Sequence, residues 1–99
     1  MALVNIRTTS CDVYIGRGSP WGNPFSFLKH STAVVVVKDR NEAVECFDLW
    51  LQGEAFTELL QEQRAYILQH VKELKGRTLG CYCAPDRCHG EVLERLAQT

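Results

Sequence analysis

A chain of 99 residues with 45% hydrophobic and 23% charged side chains has the make-up of one folded domain with a single modest core, and this balance argues against a disordered chain. The run Ala33–Val37 falls far short of the roughly 20 residues that cross a bilayer. Met1–Ser10 shows no charged lead before an apolar run, so neither a membrane anchor nor export is expected and a cytoplasmic place is; the net charge of −1 sets long nucleic acids aside as partners.

Leu3–Arg7 reads as a short strand. Asp12–Gly16 is a stronger one, because Val13, Tyr14 and Ile15 favour extended backbone and glycine closes the run. Arg17–Phe25 reads as loop, broken up by Gly18, Pro20, Gly22 and Pro24. Ala33–Lys38 holds the valines Val34 to Val37, whose branching at Cβ favours a buried strand over a helix. Asp39 or Asn41 caps the helix that follows. Its apolar residues Ala43, Val44, Phe47, Trp50 and Leu51 recur at helical spacing, and Gly53 stops it. A second helical region is expected over Ala55–Leu74, broken near Gln61, with Leu60, Ile67, Val71 and Leu74 on its core face. Lys75 and Gly76 form its exit. Arg77–Cys83 is the last strand, with Leu79, Cys81 and Cys83 on one face. A tight loop, Ala84–Arg87, leads to a final helix over Cys88–Ala97, with Val92, Leu93, Leu96 and Ala97 inward. This order predicts a single α/β domain, 1–99, built as a small, partly parallel sheet flanked by helices. If the strands 12–16 and 77–83 are parallel neighbours, the loops that follow them open at one sheet edge, where open α/β sheets bind ligands.

The first of those loops, in the run GRGSPWGNPF, carries ligand chemistry. Gly16, Gly18 and Gly22 let backbone N–H groups approach a bound group closely. Arg17 offers a forked contact to phosphate or carboxylate. Ser19 adds a hydroxyl, Asn23 a donor and an acceptor, and Trp21 a face for a base or sugar. The spacing matches neither the phosphate-binding P-loop nor the dinucleotide fingerprint. The competing reading is an ordered turn pinned by Trp21 and Phe25. Charge is spread unevenly: residues 1–40 carry a net +3, residues 41–74 a net −5 and residues 75–99 a net +1. Both motifs lie in the neutral-to-basic parts, which favours a small anionic ligand such as a nucleotide.

The second motif is CYCAPDRCHG. Five cysteines is an odd count, which argues against a closed disulfide framework. Cys81, Cys83, Cys88 and His89 form a candidate zinc set, although the spacing is not the usual one, and adjacent helical residues point about 100° apart, which hinders Cys88 and His89 from sharing an ion. Cys88, at a helix start beside Arg87, is equally a candidate nucleophile, or a thiol that pairs reversibly with Cys83. His89 is then an acid–base candidate. Cys83 and Gly90 join the residues expected around a ligand, Gly90 by easing close approach to the helix N-terminus. Cys81 is expected in the core, since free cysteine is among the most buried residue types. Cys11, Cys46, His30 and His70 are read as structural or surface residues. Asp12, Asp86 and Glu91 are the acidic residues near the motifs, and none sits in a recognisable catalytic pattern.

With these residues the chain resembles the family catalogued as domain of unknown function 4326, made up of small bacterial and phage proteins. The resemblance runs through Val13–Phe25, through Leu74–Arg77 and Leu79–Pro85, and through Cys88-His89-Gly90 with Val92 and Leu93. A weaker likeness covers the helix near Arg40–Leu51. It spans nearly the whole chain and implies a shared fold and shared site residues. It implies no reaction, because that family is itself uncharacterised. The expected shape is similar to small Rossmann-like nucleotide binders, an analogy of fold alone.

Three functions follow in order of support: a nucleotide- or nucleoside-binding domain, a zinc-stabilised interaction module, and a thiol-redox protein. Whether the chain is an enzyme, its cofactor and its oligomeric state are left open by the sequence.

Overall fold

Among the described residues the main sheet has three strands, and the last of them in sequence lies in the middle. A computed structural model describes residues 2–16, 19–26, 35–82 and 88–98. In it, strands β1 (Ala2–Asn5) and β2 (Val13–Tyr14) are joined by β5 (Thr78–Cys81), in the order β1-β5-β2. Both pairings are parallel: Leu3 lies opposite Leu79 on one side, and Val13 opposite Leu79 on the other. A second parallel pair, β3 (Phe25–Ser26) with β4 (Val35–Val36), stands apart from this sheet. Among the described residues three helices flank the sheets: α1 (Arg40–Gln52), α2 (Gln61–His70) and α3 (Gly90–Ala97). The chain is thus an α/β domain with parallel strands, as its element order implies.

A central strand is covered on both faces, and β5 shows why its sequence suits that place. Leu79 and Cys81 are buried on one side. On the other, Gly80 leaves room for its neighbours: a Cβ there would stand 2.4 Å from both the Cys11 Sγ and an Ile6 methyl. Asp12 fixes the start of the strand. Its N–H donates to the Thr78 carbonyl at 2.8 Å, and its carboxylate accepts the Thr78 N–H at 2.8 Å.

Helix α1 behaves as its pattern predicts. Asp39 caps it by accepting the Glu42 N–H at 2.8 Å, and Gly53 ends it in the left-handed region at φ 78°. Ala43, Val44, Phe47, Trp50 and Leu51 are buried, and the Trp50 indole donates to the Leu59 carbonyl at 2.7 Å. That bond satisfies the one polar atom of a fully buried ring.

Other boundaries differ from the sequence reading. The second helical region starts late: residues 54–60 form turns, α2 begins at Gln61, and Val71–Leu74 tightens into a 3₁₀ turn. Ile67, Val71 and Leu74 are buried as expected, but Leu60 is 39% exposed, because it sits at the cap in the left-handed region (φ 40°) and not on the helix face. The four-valine strand is not a buried one along its described part. Val36 is 54% exposed, since β4 has a described partner only in β3. The final helix begins at Gly90 and not at Cys88, and His89 takes the cap position. Val92, Leu93 and Ala97 face the core, with Leu96 half-buried against it. Among the described residues no helix is long and apolar enough to cross a membrane.

Candidate functional site

β2 and β5 are parallel neighbours, so their carboxyl ends lie at one edge of the sheet. The ladder runs on past β2, with the Ile15 N–H donating to the Gly80 carbonyl at 2.9 Å. The chain then turns sharply. Ser19 Oγ donates to the Gly16 carbonyl at 2.6 Å and accepts the Trp21 N–H at 3.3 Å. Asn23 Oδ1 accepts the Phe25 N–H at 2.9 Å, and Nδ2 donates to the Ala43 carbonyl at 3.1 Å, tying the loop to α1. From α2, Gln63 Nε2 donates to the Gly22 carbonyl at 2.9 Å and to that of Pro20 at 3.3 Å. Trp21 is buried and meets Tyr66 edge-on at 5.8 Å between ring centroids. The turn between Ser19 and Phe25 is therefore held from three sides, and the polar side chains of Ser19 and Asn23 serve to shape it.

The second motif meets this loop through one side chain. His89 is buried, and its Nε2 lies 2.9 Å from the Ile15 carbonyl oxygen and 3.1 Å from that of Trp21. Carbonyls only accept, so Nε2 carries the proton, and in the neutral ring Nδ1 holds the lone pair. Nδ1 lies 3.4 Å from Cys88 Sγ. Cys88 Sγ in turn lies 3.1 Å from Cys81 Sγ and accepts the Gly90 N–H at 3.4 Å. Phe47 closes the far side, with its ring edge-on to the imidazole at 5.0 Å. The chain of contacts runs from β5 through two thiols and an imidazole to the end of β2.

Gly16, Ser19, Trp21, Asn23, Cys81, Cys88, His89 and Gly90 are thus gathered around one edge of the sheet, while Arg17, Gly18 and Cys83 lie outside the described residues. Cys88 Sγ and His89 Nδ1 do approach each other, because the helix starts two residues later than expected and leaves Cys88 off it. Even so, among the described residues no group of three or more His, Cys, Asp or Glu is arranged to hold a metal ion. The small size of Gly90 is used by the core: a Cβ there would stand 2.6 Å from a Leu3 methyl and 2.7 Å from an Ile15 methyl. Sequence reasoning did not find Gln63 or Phe47 as supports of the site. Gln63 is 41 residues from Gly22 and carries no local signal of that contact.

Comparison with known proteins places the chain among uncharacterised relatives. An "Uncharacterized 12.4 kDa protein in nrdA-td intergenic region" of Enterobacteria phage T4 is 30% identical over 97 residues, covering 95% of this chain and 74% of the phage protein. No solved structure gives a significant match. The sequence profile described as Domain of unknown function (DUF4326) matches residues 4–99, and the chain belongs to that family.

Proposed function

We propose that this domain binds a nucleotide or nucleoside derivative at the carboxyl edge of its three-stranded sheet. The observation that carries the reading is the tie from His89 to the carbonyls of Ile15 and Trp21, which holds the loop after β2 against the segment after β5. Such an edge between two loops of a parallel sheet is where α/β domains take their ligands. Arg17 is the residue proposed for the anionic end of the ligand, on its chemistry and its place in the loop. Cys88 and His89, 2% and 6% exposed, act in this reading as the clasp between the loops and not as catalysts.

Thermal denaturation against a panel of nucleosides and nucleoside phosphates tests the proposal. A ligand at a hundred times its Kd stabilises the folded chain by about 2.7 kcal/mol, a shift of well over 5 °C for a domain of this size. A folded sample that none of the panel stabilises would overturn it.

The outward bonds of His89 Nε2 favour zinc as a second reading. A metal-bound imidazole commonly donates its other N–H to backbone carbonyls, and here that leaves Nδ1 toward the Cys88 thiol, which itself lies against that of Cys81. This reading also requires Cys83. Elemental analysis of native protein purified without chelator decides it: one equivalent of zinc with masked thiols supports it, and no metal with titratable thiols ends it.

A further inference from the structure

The carboxyl end of β1, on the other side of β5, carries a group of residues that the loop motifs do not include. Asn5 ends β1 opposite Cys81, and its side-chain amide works in both directions. Oδ1 accepts the Arg7 N–H at 2.9 Å, and Nδ2 donates to the Tyr82 carbonyl at 3.4 Å. One amide therefore fixes the backbone on both sides of a pair of side chains. The Arg7 guanidinium lies over the Tyr82 ring, 5.1 Å from its centroid. Tyr14, the last residue of β2, meets the same ring edge-on at 6.3 Å.

Alternation along β5 explains the position of Tyr82. Leu79 and Cys81 point into the core, so the residue after Cys81 is turned away from it. Tyr82 is 54% exposed, as exposed as any large apolar or aromatic side chain among the described residues. An exposed tyrosine is common and means little alone. Here the ring is held by an arginine and a second tyrosine, contributed by the ends of all three strands, at the edge proposed for the ligand.

We infer that Arg7, Tyr14 and Tyr82 form the platform on which the base of the ligand stacks. The inference rests on the nucleotide reading above and deepens it by naming the surface that takes the base. Aromatic rings and guanidinium planes take bases by stacking with little regard for sequence. The platform therefore prefers compounds with a base over sugar phosphates without one, and discriminates little among the four bases.

The test uses the whole chain with nucleoside 5′-monophosphates, the matching nucleosides and ribose 5-phosphate as probes, read by thermal shift and by calorimetry. Wild type should bind the monophosphates and ignore ribose 5-phosphate. Tyr82→Ala should weaken monophosphate binding by about tenfold or more, the scale of one stacked base, while Tyr82→Trp should stay within about threefold. Arg7→Gln should weaken the monophosphates and the nucleosides alike. Circular dichroism and the unliganded Tm of each variant establish that it is folded; the exposure of both side chains makes large losses of stability unexpected. If wild type binds and folded Tyr82→Ala binds equally well, the platform is overturned and the nucleotide reading stands. If ribose 5-phosphate binds as well as the monophosphates, stacking is overturned while the anion site stands. If wild type binds nothing in the panel, both fall together.

Discussion

At Gly90 two effects of similar size oppose each other. Alanine is a better helix former than glycine by about 1 kcal/mol. Its Cβ, however, would press on methyl groups of Leu3 and of fully buried Ile15, and overpacking a core typically costs about 1–3 kcal/mol. Gly90→Ala should therefore lower the urea midpoint; a raised midpoint would mean that Leu3 gives way freely. Cys46 offers a test by pH. Burial first, then the negative charges of Glu42 and Glu45, push its thiol above the ordinary value near 9.0. The folded chain thus keeps this proton to higher pH than the unfolded chain. The resulting stability is complete below the ordinary thiol value and is lost as pH rises through the folded one. Cys46→Ser should flatten the alkaline limb of a stability–pH curve, and an unchanged limb would refute the assignment. At this scale the sequence was informative wherever burial decides the matter. Cys81 reads as core from its alternation with Leu79, and it is 1% exposed. It was silent where a contact joins distant residues, as with the imidazole of His89 and two carbonyls more than 60 positions away.

Elements with their own caps were legible, and those shaped by distant contacts were not. Helix α1 carries its start and stop in sequence, and Asp39→Ala should cost about 1 kcal/mol, visible as a Tm lower by several degrees. A change below 1 °C would show the cap to be dispensable. Helix α2 carries no such marks. It starts after Leu60 with no side-chain cap, and Phe56 and Leu60 both adopt positive φ, which no propensity favours for these residues. Tertiary contacts account for the turn: the Phe56 ring lies on Phe25 at 4.8 Å, and Leu59 takes the Trp50 indole bond. Arg64 then donates through Nε to the carbonyls of Trp50 and Leu51, binding α2 to the end of α1. Strand β3 was missed for a related reason. Its two residues, Phe25 and Ser26, follow a proline and pair with valines ten positions on, a stretch too short to show periodicity.

For the whole molecule, the order of elements implied a partly parallel sheet but offered the pairing of β2 with β5 only as a condition, which the sheet order fulfils. The join between the two loops was expected, but the side chain that makes it was not. Removing it should be felt across the domain. His89→Ala leaves two buried carbonyls short of a donor and a hole beside Phe47, so it should cost about 2–4 kcal/mol in urea unfolding. A loss under 0.5 kcal/mol would show that water or a neighbour replaces the imidazole readily. The sheet order carries a consequence for how the chain comes to be folded at all. Among the described residues β1 and β2 form no ladder with each other; each pairs with β5, which begins at Thr78. During synthesis the first two strands emerge early and must wait, unpaired, until the strand that belongs between them leaves the ribosome. Nascent chains ending before residue 77 should therefore remain sensitive to protease along their whole length. Resistance should arrive in one step once Thr78–Cys81 is free to insert, the late and cooperative behaviour expected of a topology dominated by long-range pairing.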